Sequence, residues 1–361
     1  MRVIFRADSS TIMGSGHLMR CLTLAKLMRG CGNVDIFFIC RDLEGNIASV
    51  VSDNDFNLIM LSNAEHNSNL SGYEAWLTVS QEQDADETID AVGSISSERH
   101  VDYVIVDSYA IDEIWEKKLR PYTKKIFVID DLANRKHDCD FLLDQTYGIE
   151  NANKYCGLVP SHCVQFLGTS YSLLKLEYRK LRNEIHLLRQ GIKYVLVFFG
   201  GSDDTGETVK FLEALRRNRF EQYHFIVIIG GGNQKKNIIR TYCDEIDNVE
   251  FHCQVDNMEY YISICDLAFA SAGVNTWERC VLGLPSFITV TSDNQREIAA
   301  KMREQNAAVI LGDFEDVNSE DYSKALCRID KIDIASLSKN AARLMENNGI
   351  DELLKVIGVG I

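Results

Sequence analysis

The chain has 361 residues, 46% of them apolar and 25% charged, and a net charge of −15. That length predicts two globular domains rather than one. The acidic balance, with no basic block of any length, argues against a nucleic-acid partner, because phosphate contacts need clustered Lys and Arg. It leaves room for one anionic small ligand held at a local site.

The first element is an apolar strand over Arg2–Ala7, followed by Asp8 and the loop Gly14-Ser15-Gly16-His17. A helix follows over Leu18–Met28. In a parallel α/β sheet, ligands bind beyond the carboxyl ends of strands, where loops meet helix N-termini. His17 falls at such a place. The partial positive charge there disfavours imidazolium, and a neutral imidazole can take a proton as general base. The same position equally suits a solvated polar residue. Gly14-x-Gly16 invites a dinucleotide reading with Asp42 as ribose acid, but Met19 stands where the third glycine belongs.

Further strands are predicted over Asp35–Cys40, Asn57–Leu61, Val101–Asp107, Lys125–Ile129 and Phe141–Leu143. Helices are predicted near 86–97 and over Asp112–Leu119; the rest of 62–100 is polar and acidic. Asp107-Ser108-Tyr109 and Asp130-Asp131 end two strands. Those acids can cap the next helix, bind sugar hydroxyls or orient His17. Arg135, His137, Asp138 and Asp140 form a polar cluster open to either buried pairing or ligand contact.

A connecting helix is predicted over Tyr171–Arg189, and then a second series begins. Its strands are Tyr194–Phe199, His224–Ile229, Val249–Cys253, Leu267–Ala270, Ser286–Val290 and Ala308–Leu311. Helices over Thr208–Arg217, Met258–Cys265, Asn275–Leu282 and Gln295–Gln305 alternate with them; Tyr322–Ile329 and Leu337–Glu346 follow. Two such series predict two doubly wound Rossmann-like domains facing across a cleft, 1–170 and 171–361, the second carrying the C-terminal helices. Ser271-Ala272-Gly273 leads into the helix that carries Asn275 and Glu278. Small residues let a diphosphate approach the backbone there, and Glu278 lies one turn on, where a ribose could meet it. Gly200-Gly201-Ser202-Asp203 and Gly230-Gly231-Gly232 end two other strands of this series, as glycines often do. No apolar run could span a bilayer, and the first strand does not read as a signal peptide, so a cytoplasmic location without membrane contact is expected. The eleven cysteines, among them Cys21, Cys40, Cys265 and Cys280, never form Cys-x-x-Cys and read as reduced core thiols. The remaining histidines show no ligand spacing, so no metal is expected.

With these residues in view, the chain resembles the family that hydrolyses UDP-2,4-diacetamido-2,4,6-trideoxy-β-L-altropyranose in pseudaminic acid biosynthesis. The resemblance rests on Phe5-Arg6-Ala7-Asp8, Gly14-x-Gly16-His17-x-x-Arg20, Asp107-Ser108-Tyr109 and Asp130-Asp131-Leu132-Ala133-Asn134-Arg135. Gly200-Gly201-Ser202-Asp203, Thr276-Trp277-Glu278-Arg279-Cys280 and Asn294-Gln295 add to it. It implies a fold similar to the two-domain GT-B glycosyltransferases, with His17 activating water, UDP held by the second domain, inversion at the anomeric carbon, and no metal or other cofactor. It places Arg6, Asp8, Gly14, Gly16, Asp107 and Tyr109 of the first domain at the substrate. From the second it adds Gly201, Ser271, Ala272, Gly273, Asn275, Glu278, Asn294 and Gln295. The implied partner is the small UDP-sugar alone, bound by a monomer or weak oligomer. A glycosyltransferase using a UDP-sugar donor, or a non-catalytic nucleotide-sugar binder, fits the same architecture.

Overall fold

A computed structural model of the chain describes residues 1–63, 71–146, 153–184, 191–218, 220–273, 275–345 and 349–359, leaving out the Asn294 side chain. The described chain folds as two α/β units, Met1–Leu173 with Asn348–Ile361, and Leu174–Asn347.

The first unit is built on seven strands: β1 (Arg2–Ala7), β2 (Asp35–Arg41), β3 (Asn57–Leu61), β4 (Val101–Asp107), β5 (Thr123–Ile129), β6 (Phe141–Asp144) and β7 (Val164–Leu167). They pair in the order β3-β2-β1-β4-β5-β6-β7, and every pair is parallel. Val3, Ile4 and Phe5 are fully buried, as expected of a strand covered on both faces. The strand order turns back between β1 and β4, whose ends lie in register at Ala7 and Asp107. Loops leaving two such strands diverge and open a crevice, the usual ligand position in this kind of sheet. His17 follows β1 in the helix Gly16–Cys31, so it stands at that crevice.

Several elements differ from the sequence reading, in which the helices Ser49–Asp53 and Lys236–Asp244 are absent. The helix expected near 86–97 is Gln81–Ile95, because Ser80 caps it by accepting from the Gln83 N–H at 3.3 Å, and Asp84 is drawn inward. The short edge strand β7 carries only Gln165, Phe166 and Leu167 beyond Val164, too brief for a period to register. The tail also departs from the expected boundary. Helix Gly349–Val356 packs on the first unit by burying Ile350, Leu353 and Leu354. Tyr171 donates its hydroxyl to Glu352 at 3.1 Å, and Tyr103 to the Ile357 carbonyl at 2.8 Å.

The second unit holds β8 (Tyr194–Phe198), β9 (His224–Ile229), β10 (Val249–Cys253), β11 (Leu267–Ser271), β12 (Ser286–Val290) and β13 (Ala308–Asp313). Their order, β10-β9-β8-β11-β12-β13, repeats the reversal, here between β8 and β11. Phe269 stacks on Phe287 at 4.8 Å and meets Phe211 at 4.8 Å in the core. The expected connecting helix is Leu176–Glu184; residues 185–190 lie outside the described residues, as does Glu346 of the last predicted helix. None of the eleven cysteines forms a disulfide. Among the described residues no helix is long and apolar enough to cross a membrane.

Candidate active site

At the switch point of the first unit the helix Gly16–Cys31 presents His17 in its first turn, with no acidic side chain and no side-chain cap there. His17 Nδ1 lies 2.6 Å from Asp107 Oδ1. Asp107 is fully buried. Burial pushes its carboxyl up, but the guanidinium of Arg20 and then the His17 ring overcome this and hold it down at about 2. An anionic carboxylate can only accept, so Nδ1 carries a proton, and in the neutral ring the lone pair is on Nε2. That is the tautomer a general base requires.

Arg20 lies three residues after His17, on the same helix face. Its Nε and Nη2 both donate to Asp107, the second at 2.7 Å. Its Nη1 reaches Asp131 at 3.0 Å, and Asp131 also accepts the Tyr109 hydroxyl at 2.6 Å. A buried carboxylate paired with a guanidinium is stable, and removing that partner strands a charge at a cost of about 3–5 kcal/mol. The ring of Tyr109 packs edge-on to His17 with centroids 4.6 Å apart. Arg135 props the loop that carries Tyr109, donating to the Ser108 carbonyl at 3.1 Å and the Ile111 carbonyl at 2.8 Å.

Several expected contacts lie elsewhere. Arg6, Asp8 and Asp107 are buried beneath the crevice instead of lining it. Arg6 grips Asp84 through two bonds of 3.0 and 2.7 Å and Asp8 through a third of 2.6 Å. Asp84 also accepts Arg41 at 2.6 Å and the Trp115 indole at 2.9 Å. A charge inside a sheet persists only when paired, so these residues stiffen the ends of β1 and β2. Of the polar cluster, His137 contacts Glu116 at 2.7 Å and Asp140 accepts from Arg120 and Lys125 at 2.5 and 2.7 Å, which is pairing rather than an open site. Gly14 adopts φ +74°, a left-handed turn that closes the loop onto Ser10. Gly16 begins the helix with open space where a Cβ would stand.

The switch point of the second unit is built differently. A cavity of about 340 Å³ opens there, lined by Gly200, Ser202, Ser271, Gly273, Asn275 and Gln295 among others. Gln295 ties its floor together, since its Oε1 accepts from the Ala272 N–H at 3.2 Å and the Thr291 N–H at 3.1 Å. Gly201 stands behind the cavity against Gly230, where an added Cβ would come within 2.7 Å of the Gly201 Cα. Ala272 is fully buried. Glu278 accepts from Asn275, and burial pushes its carboxyl up. Asp203 caps the helix Glu207–Arg217 by accepting two backbone N–H groups at 2.9 Å. Val274 and the Asn294 side chain lie outside the described residues.

Beneath this loop lies a cation that sequence reasoning did not single out. Arg279 is buried at 2% exposure and donates to the Ser271 carbonyl at 2.8 Å, Ser286 Oγ at 3.0 Å and Thr276 Oγ1 at 3.2 Å. Among the described residues its hydrogen-bond acceptors carry no charge, and burial lowers the guanidinium to about 10. Glu278 acts on it through space, and an anion in the adjoining cavity would add to that attraction. Tyr73 and Trp76, close to His17, were also missed; the only signal was an aromatic pair inside an acidic stretch. Among the described residues no trio of His, Cys, Asp or Glu is grouped to hold a metal ion.

No family model matches the chain. An uncharacterized protein of Methanocaldococcus jannaschii is 25% identical over 305 residues, covering 82% of this chain and 57% of that protein. The UDP-2,4-diacetamido-2,4,6-trideoxy-beta-L-altropyranose hydrolase of Campylobacter jejuni is 31% identical over 179 residues, 49% of this chain and 53% of the hydrolase. The chain thus spans between about half and three fifths of the length of the curated relatives it matches. Among solved structures, Arabidopsis thaliana UGT89C1 complexed with UDP aligns over 99% of both chains with a TM-score of 0.70 and 13% identity. At that identity the likeness shows the fold alone, which is that of the GT-B proteins.

Proposed function

We propose that this chain acts on a UDP-sugar, and that it hydrolyses UDP-2,4-diacetamido-2,4,6-trideoxy-β-L-altropyranose at the anomeric carbon. The observation that carries the reading is the His17 Nδ1–Asp107 contact of 2.6 Å, which leaves Nε2 as a base. The partial identity to the Campylobacter jejuni hydrolase supports water as the nucleophile. In this reading Nε2 takes a proton from water while its oxygen attacks C1. The bond from C1 to the diphosphate oxygen breaks, its electron pair leaves with UDP, and attack from the opposite side inverts C1. A positioned base contributes about 10²–10⁴-fold in rate.

The second unit holds the nucleotide. Ser271, Ala272 and Gly273 let the diphosphate approach the backbone, and Arg279 supplies positive potential from beneath. Fixed electrostatics at a departing oxyanion contribute about 3–4 kcal/mol for one well-aimed donor. Tyr109, Asn275, Glu278, Asn294 and Gln295 complete the set of contacts we assign to the substrate, with Gly14, Gly16 and Gly201 giving it room. UDP is a good leaving group, so no separate general acid is required.

A glycosyltransferase is the second reading, favoured by the fold shared with UGT89C1. Incubation with the UDP-sugar in ¹⁸O-water separates the two. Hydrolysis places the label on the free sugar without any added acceptor. UDP release that waits for an acceptor, or label found in the phosphate, overturns the hydrolase reading.

A further inference from the structure

Trp76 and Tyr109 meet the imidazole ring and Tyr73 packs against both of them; Tyr73 and Trp76 take no part in the proposed chemistry. Tyr73 and Trp76 lie on the 3₁₀ turn Gly72–Leu77, and Tyr109 follows β4. The centroids of Tyr73 and Trp76 are 4.8 Å apart, those of Tyr73 and Tyr109 5.2 Å, and those of Trp76 and Tyr109 5.8 Å. Trp76 also meets the His17 ring at 6.0 Å. The cluster therefore touches the base directly.

Core packing accounts for only part of this arrangement. In the same turn Leu77 is buried at 1% exposure and Trp76 packs one side against the core, while Tyr73 stays 42% exposed. The other two tryptophans behave as core residues, Trp115 at 0% and Trp277 at 7% exposure. Thr78 ends the turn at φ +62°, a left-handed conformation that a β-branched residue adopts only at a cost. Such strain is retained where the surrounding structure holds a segment in one position. The Tyr109 hydroxyl is engaged by Asp131, so this residue offers its ring rather than its oxygen to anything beside His17.

We propose that Tyr73 and Trp76 form, with the face of Tyr109, a subsite for a methyl-bearing edge of the sugar, selecting N-acylated or deoxy hexoses over fully hydroxylated ones. An aromatic wall gains contact area from a methyl or C–H face. A hydroxyl turned into the same wall loses its hydrogen bonds to water and finds none in return. The wall also keeps water from competing sites around Nε2. The inference rests on the reading that His17 acts on a sugar.

The test compares a UDP-diacetamido-trideoxyhexose with UDP-glucose on wild type, Trp76→Ala, Trp76→Phe and Tyr73→Ala. The alanine variants should lose about tenfold in kcat/KM for the acylated substrate, as expected for one lost aromatic contact. UDP-glucose turnover and affinity for free UDP should change less than twofold, and Trp76→Phe should recover most of the loss. Equal losses for both sugars, or none, overturn the subsite. Trp76 is also a reporter: its fluorescence should shift when the acylated UDP-sugar is added but not with UDP alone, and the shift should vanish in Trp76→Phe. That titration needs no turnover, so a sugar-dependent shift without hydrolysis sustains the subsite while the hydrolase reading falls. A shift identical with UDP alone overturns the subsite even if hydrolysis is seen. Should Trp76→Ala fail to fold, the exposed Tyr73 carries the comparison.

Discussion

The two switch points share a topology and differ in what fills them. Between β1 and β4 the space is packed with the charged groups of Arg20, Asp107 and Asp131 and the imidazole of His17, fixed to one another within 3.0 Å. Between β8 and β11 it is an open cavity of about 340 Å³ walled by small and polar residues, with Asp203 and Asp204 on one side and Arg279 buried below. A reacting group needs a fixed position and a fixed proton, which buried pairing supplies. A diphosphate needs space close to backbone amides, which only small residues leave. In the proposed reading one unit is the chemical site and the other the binding site, and each assignment can be broken separately.

The largest expected effect is in the first unit. His17→Ala should lower turnover by about 10²–10⁴-fold, while calorimetry with UDP shows unchanged affinity; a parallel loss of affinity would erase the contrast between the units. Asp107→Asn should lower turnover by about 10²-fold or more, because the amide no longer enforces the tautomer with Nε2 free. The same variant has a pH signature. Asp107 is held at about 2 in the folded chain, below its unfolded value, so its contribution to stability is present above about pH 4 and lost as pH falls toward 2. The difference in melting temperature between wild type and Asp107→Asn should therefore shrink from pH 5 to pH 2.

In the second unit Arg279→Met should weaken UDP binding by about tenfold and leave uridine binding unchanged, since only the diphosphate feels the buried charge. Glu278→Ala should weaken both UDP and uridine by a similar or smaller factor if the carboxylate meets the ribose; unaltered affinity for both would remove it from the site. The smallest effect is structural. Gly230→Ala would force a Cβ against Gly201, lowering stability by about 1–3 kcal/mol in a denaturant titration while leaving His17 chemistry in place.

Much of this was legible in the chain. Apolar runs alternating with helical periods marked all but one of the strands, because strands buried on both faces are continuous and apolar. His17 stood out because a glycine loop between strand and helix has a known place in such a sheet. Arg20 was visible only as part of a motif, although its spacing of three from His17 puts both on one helix face. Trp76 was not legible, since nothing local says that a turn 59 residues along the chain returns to His17. Arg6 and Asp8 were misplaced for a related reason: their partner, Asp84, comes from a helix whose first turn lies 76 residues beyond Asp8.

Local sequence determined the elements, their parallel class and the loops where function would sit, because periodicity and turn chemistry are short-range properties. The tertiary structure decided which charges are spent on one another. Asp107 became the partner of His17, Asp84 took up Arg6 and Arg41, and Arg279 was left with neutral acceptors. Those outcomes depend on burial and on distances between residues far apart in the chain, and neither is written in any single segment.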